Sequence, residues 1–325
     1  MRKTWSILTL ASLLVPAVLL TACGQKAGTN NGAAGNALTV GFSQIGAESA
    51  WRTAETESIR EEATKRGVDL KFADAQQKQE NQIKSIRSFI AQGVDAIILA
   101  PVVETGWEPV LREAKAKNIP VVLVDRSVDV TDDSLYTTLI ASDFVQEGRM
   151  AAEWLAEKTN GKAAIVELQG TTGAAPAIDR KKGFAEVIAK HPGMTIIKSQ
   201  SGDFTRTKGK EVMEAFLKSG GQNIEAVYAH NDDMALGAIQ AIEEAGRKPG
   251  TDMLIVSIDG VKDAFQAMVD GKLNCTVECN PLLGPMAFDA VEAAVAGKPV
   301  EKRIIVEDKR YDQTTAVAEL PNRKY

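Results

Sequence analysis

The stretch Pro120-Val-Val-Leu-Val-Asp125-Arg126 constrains this chain more than any other. Four apolar, mostly β-branched residues without polar alternation read as a strand buried on both faces, as in a parallel sheet covered by helices. The run stops abruptly at an acid and a base. In open α/β sheets ligands sit just outside the carboxyl ends of the strands, which is where Asp125 and Arg126 fall. A carboxylate offers acceptors only and a guanidinium donors only. Side by side they match a polyol hydroxyl, which needs both, and impose no net charge.

The same plan recurs along the chain. Strands are expected over 38–43, 69–73, 95–100, 120–124 and 135–141, then over 163–168, 195–199, 226–229, 253–258, 274–279 and 302–306. Helical patterns fill the intervals. The segment 51–66 is closed by Gly67 as a C-cap, and the segment 80–92 sets Ile83, Ile86, Phe89 and Ile90 on one face. Repeated βα units imply parallel sheets joined by right-handed crossovers. So many units imply two doubly wound, Rossmann-like α/β sheets rather than one.

Ahead of this body, Arg2 and Lys3 precede an apolar run from about Ile7 to Leu20 that ends in Leu20-Thr-Ala-Cys23. A basic head, a short apolar run and small residues mark a secretory signal. The run falls short of the roughly 20 residues of a membrane span. Its last four residues resemble the lipobox of bacterial lipoproteins. That resemblance implies a signal peptide over residues 1–22, lipid on the Cys23 sulfur and an anchor to the outer face of the cell membrane. Residues 23–37, rich in Gly, Ala, Asn and Thr, read as a flexible tether.

Composition excludes some classes of function. Formal charge is −5 over 325 residues, and removal of Arg2 and Lys3 makes the body more acidic still. Such a body carries no electrostatic footprint for nucleic acid. Beyond Cys23 only Cys275 and Cys279 remain, with His191 and His230. If both cysteines lie on one strand, four residues hold them about 13 Å apart, too far for a disulfide. They read as unpaired buried thiols, and no metal-ligand cluster or cofactor motif is expected.

Five strand ends carry polar residues able to converge. The first strand leads into Glu48-Ser49-Ala-Trp51-Arg52, where Trp51 offers an aromatic face to the apolar side of a sugar ring. The 163–168 strand leads into Gln169-Gly-Thr-Thr-Gly173 and on to Arg180-Lys-Lys-Gly183-Phe184. This glycine-rich loop lacks the Lys-Ser/Thr ending of a phosphate-binding loop. A later strand leads into His230-Asn231-Asp232-Asp233, whose two acids read as first-turn helix residues favoured by the dipole. The next strand ends in Ser257-Ile258-Asp259-Gly260.

The strings VVLVDR, RKKGF, SGDFTRTKG, AHNDDMALGA and SIDG resemble the sugar-binding proteins of ABC importers, the ribose/galactose-binding family, which shares its fold with lactose-repressor-type regulators. VGFSQIGAESAWRTAE, FADAQQKQENQIK, APVVETGWEPVL and VELQGTTGAA are most similar to its galactofuranose-binding members. The resemblance implies a type I periplasmic binding protein fold whose two lobes meet at a three-crossing hinge. The crossings are expected near 140–143, 279–281 and 307–309. The lobes would then be 38–140 with 281–307, and 143–279 with 309–325. The family's ligand contacts fall on Asp125, Arg126, Arg180, Asn231 and Asp259. Its closer relatives add Glu48, Ser49, Trp51 and Arg52, and Phe204 matches an aromatic that lines the ring. Ribose-binding members carry a hinge glutamine where this chain has Cys279-Asn280, so ribose is not the expected ligand.

The implied function is a lipid-tethered, monomeric receptor that captures a neutral monosaccharide, galactofuranose first, and delivers it to ABC permease subunits. A chemosensory or signalling receptor would use the same cleft. A transcription regulator would need a basic helix-turn-helix where the signal and tether stand. An enzyme is not expected, because two histidines so placed assemble no Ser-His-Asp or Cys-His set.

Overall fold

The structure is a computed structural model and describes residues 37–325. The expected signal peptide, the tether up to residue 36 and Cys23 lie outside the described residues. The strands are β1 (Thr39–Gln44), β2 (Asp69–Asp74), β3 (Ala96–Leu99), β4 (Val121–Val124), β5 (Thr138–Ser142), β6 (Lys162–Gln169), β7 (Gly193–Ser201), β8 (Ala226–Ala229), β9 (Leu254–Asp259), β10 (Cys275–Glu278), β11 (Arg303–Val306) and β12 (Arg310–Asp312). The helices are α1 (Ala50–Arg66), α2 (Gln79–Gln92), α3 (Glu108–Ala116), α4 (Phe144–Thr159), α5 (Ala175–Ile188), α6 (Arg206–Lys218), α7 (Asp232–Glu244), α8 (Lys262–Val269), α9 (Gly284–Val295) and α10 (Gln313–Glu319).

Two six-stranded sheets result, in the orders β11-β5-β4-β3-β1-β2 and β12-β10-β9-β8-β6-β7. The first is parallel throughout. In the second, only the edge pair β10–β12 is antiparallel. Strand order reverses between β1 and β3 in one sheet and between β6 and β8 in the other. Crevices at the carboxyl ends of the strands open beside such switch points.

The central strands are apolar on both faces because both faces are covered. Along β3, Ile98 packs with Ile59 of α1 and Phe288 of α9, while Ile97 and Leu99 pack with Phe89 of α2 and Leu111 of α3. Each such side chain contributes about 1.5–3 kcal/mol on burial. Edge strands β2 and β7 are only partly buried and carry polar residues on their open side.

The chain passes between the sheets after β5, after β10 and after β11. Each lobe is therefore built from separated pieces of sequence. Gly148 and Gly183 let α4 and α5 press backbone to backbone. A Cβ on Gly183 would lie 1.9 Å from the Val145 carbonyl oxygen, and one on Gly148 2.2 Å from that of Arg180. This crossing fixes the helix that carries Arg180.

Two expectations are corrected. The strand expected from Leu135 begins at Thr138, because Asp133–Leu135 forms a 3-10 turn capped by Asp132. The sequence reading also passed over β12 and α10. Arg-Tyr-Asp is too short and polar to signal a strand, although Asp312 with Thr315 forms a capping box.

Candidate sugar-binding site

All ten residues named from the sequence line one small cavity between the lobes. Glu48, Ser49, Trp51, Arg52, Asp125 and Arg126 come from one side, and Arg180, Phe204, Asn231 and Asp259 from the other. Pro176 and Cys279 complete the wall and were not on that roster. Among the described residues no group of three His, Cys, Asp or Glu is placed to hold a metal.

Apart from Arg180, in the second turn of α5, the wall residues stand beside strand ends and helix starts, and the backbone explains the aim of several. Asp125 follows β4 with φ 62°, in the left-handed region that Asp tolerates. Asp259 ends β9 at φ 135°, a conformation rarely adopted by residues with a side chain. Phe204 has φ 60°, and its ring lies where a Cβ on Gly170 would be, 1.9 Å from Cζ. The glycine-rich loop after β6 thus makes room for an aromatic ring. Trp51 donates its indole N–H to the Cys279 carbonyl, 2.5 Å away, which ties the α1 start to the middle crossing.

Arg52 is spent on the protein. Nε binds Glu48 at 3.1 Å, Nη2 binds Asp125 Oδ2 at 2.5 Å, and Nη1 pairs closely with Glu55. Burial opposes its charge, but Glu55, Asp125 and Glu48 outweigh it and hold the pKa well above the ordinary value. Arg126 is different. Its Nη1 donates to the Val102 carbonyl at 2.8 Å, yet its Nε has no hydrogen-bond partner. Burial and the neighbouring Arg52 push its pKa down to about 10.

Across the cavity, Arg180 donates through Nε to Glu147 at 2.6 Å and through Nη1 to the His230 carbonyl at 2.6 Å. Its Nη2 stands 3.8 Å from Asp259 Oδ1. Asp259 Oδ2 is buried without a partner, and burial raises the pKa of that carboxyl well above its usual range against the pull of Arg180. Behind this wall, the buried His230 ring contacts Glu167 at 3.1 Å, and burial lowers its pKa.

Two residues read from the sequence as ligand contacts are also caps. Ser49 Oγ accepts from Arg52 N at 3.1 Å, the N-cap bond of α1, which leaves its O–H to donate. Asn231 accepts from Met234 N at 3.0 Å as N-cap of α7 and donates to the Phe204 carbonyl at 3.1 Å. The ten residues include three acids, Glu48, Asp125 and Asp259, and three bases, Arg52, Arg126 and Arg180. The structure adds the buried Glu55 and Glu147, so acids outnumber bases. Burial raises the pKa of both. Glu55 lies three residues from Arg52 on α1 and was legible from helical spacing; Glu147 is far from its partner in sequence and was not.

The periplasmic binding protein domain model matches residues 40–299. A galactofuranose-binding protein of Escherichia coli (strain K12) is 59% identical over 291 residues, covering 88% of this chain and 92% of that protein. The periplasmic binding component of an arabinose ABC transporter from Shewanella sp. ANA-3, solved with α- and β-L-arabinofuranose, is 61% identical, with TM-score 0.86 over 88% of this chain and 95% of that one. A Mycobacterium smegmatis structure with β-D-fucofuranose is 57% identical, with TM-score 0.87 over 89% and 96% of the two chains. With two α/β lobes, a shared cavity and these relatives, the chain belongs to the periplasmic binding protein family of ABC sugar transporters.

Proposed function

We propose that this chain captures a neutral monosaccharide in its five-membered-ring form and presents it to an ABC permease. One observation carries this reading. Glu48 Oε2 and Arg126 Nε on one wall and Asp259 Oδ2 on the other are buried polar atoms without hydrogen bonds. A buried polar group left unpaired costs about 1–3 kcal/mol, so the cavity is built for a guest that supplies donors and acceptors together. Sugar hydroxyls do so. The Ser49 hydroxyl adds a donor, and Trp51 and Phe204 cover the ring faces. Each arginine of the wall already faces a carboxylate, Arg52 with Glu48, Glu55 and Asp125, Arg126 with Asp125 and Arg180 with Glu147, so no unpaired cation awaits a sugar phosphate or sugar acid. The arabinofuranose, fucofuranose and galactofuranose named for its relatives favour a furanose.

A thermal-shift panel tests this reading with L-arabinose, D-galactose, D-ribose, D-glucose, D-fructose, galacturonate and galactose 6-phosphate. L-Arabinose and D-galactose raise the melting temperature, and the two anions do not. A response confined to the anions contradicts it.

The basic head, apolar run and Leu20-Thr-Ala-Cys23 string support a cleaved signal peptide and a lipid on Cys23. In this reading the receptor works as a monomer tethered outside the cytoplasm. Cys23→Ala then leaves the protein soluble or uncleaved; a variant that matures and fractionates with membranes as the wild type does rules the anchor out.

A further inference from the structure

The two acids after Asn231 do different work. Asp232 turns inward and accepts backbone N–H bonds from Gly260 at 2.7 Å and Val261 at 2.9 Å within its own lobe. Asp233 reaches out of its lobe. Its Oδ2 accepts the backbone N–H of Ala50, 2.7 Å away, across 183 residues of sequence. Ala50 is the first residue of α1, and that helix has no acid of its own in its first turn. Ser49 already serves Arg52 N, so the Ala50 N–H is one of the helix-start donors that the helix cannot satisfy. A carboxylate from the opposite lobe satisfies it and meets the positive end of the α1 dipole.

Asp233 is 5% exposed and does not line the cavity. Its other oxygen accepts from Arg206 Nε at 2.9 Å, and Arg206 also reaches Asp263 at 3.1 Å, so the carboxylate is aimed from within its lobe. A second bond between the lobes joins Glu104 N to the Gly173 carbonyl at 3.0 Å. This second contact is backbone to backbone and survives side-chain changes. The Asp233 contact exists only while the lobes are together.

We propose that Asp233 is an interlobe latch that sets how long the closed, sugar-holding state lasts while never touching the sugar. This rests on the sugar-receptor reading above and on closure of the lobes around the guest. Opening returns the Ala50 N–H and Asp233 Oδ2 to water and breaks one charge-assisted hydrogen bond. The latch therefore acts on dissociation and leaves association nearly unchanged.

The test follows L-arabinose and D-galactose by stopped-flow fluorescence with wild type, Asp233→Asn, Asp233→Ala and Arg206→Gln. Asp233→Ala speeds dissociation by about ten- to a hundredfold, the span of one hydrogen bond to a charged group. Association stays within about twofold. Asp233→Asn, which keeps a neutral acceptor, falls between. Arg206→Gln removes the same ion pair but keeps the latch, so it lowers sugar-free stability about as much as Asp233→Ala with little effect on dissociation. Unchanged dissociation in Asp233→Ala overturns the latch, as does an equal effect of Arg206→Gln. If neither sugar binds wild type, the furanose reading fails on its own. The latch is then read from single-molecule energy transfer between dyes on Lys84→Cys and Lys208→Cys in the sugar-free protein. Asp233→Ala lowers the closed fraction about tenfold or more if the latch exists, and an unchanged fraction overturns it.

Discussion

Arg52 and Arg126 line the same wall and serve different ends. Arg52 holds three carboxylates, Glu48, Glu55 and Asp125, in place. Removing one partner of a buried ion pair costs about 3–5 kcal/mol, because the other charge is left uncompensated. Arg52→Met is therefore expected to lower stability by at least that amount in chemical denaturation. Arg126 meets Asp125 and Glu48 only at 3.5 and 3.7 Å and makes no hydrogen bond through Nε, so Arg126→Met is expected to weaken sugar affinity tenfold or more at a much smaller cost in stability. Equal stability losses in the two variants would contradict this division. Both residues were legible as cavity residues, because a buried parallel strand delivers whatever follows it to the crevice. Their division of labour was not. It depends on Asp125 meeting Arg52 across 73 residues, which no local spacing encodes.

At the scale of elements, the alternation of strands and helices was plain because apolar runs mark the central strands and glycine stops close α1 and α2. The exceptions sit at the edges. The three-residue β12 and the short α10 follow the last crossing, where the chain is polar and depends on pairing with β10. That crossing holds Asp308, whose Oδ1 is buried without a partner. Burial, and then Glu147, push the pKa of this carboxyl up to about 8. An unfolded aspartate titrates near 3.9. Between those values the folded chain holds a proton that the unfolded chain has released, so stability falls as pH rises through the interval. Glu55, Glu147 and Asp259 are shifted in the same direction by burial and add to the trend. Asp308→Asn is expected to raise the melting temperature at pH 8 and leave it unchanged at pH 4. A gain at pH 4 as large as that at pH 8 would show that the proton at this crossing plays no part.

At the scale of the whole molecule, two sheets, each with one reversal of strand order, form separate lobes joined by three crossings. One wall supplies Glu48 and Arg126, the other Asp259 and Arg180, so neither lobe alone encloses a guest. The number and kind of lobes followed from counting βα units. The bonds that join them, Ala50 to Asp233 and Glu104 to Gly173, did not, because they link helix starts and loops whose meeting depends on how the lobes close. The central claim is that the shared cavity holds a neutral sugar in its five-membered-ring form. Carbon NMR of [1-13C]galactose with excess protein tests it most directly, since the anomeric carbon reports ring size. The account predicts a bound anomeric signal in the furanose region that unlabelled L-arabinose displaces and galacturonate does not. A bound signal in the pyranose region, or displacement by galacturonate alone, would contradict it.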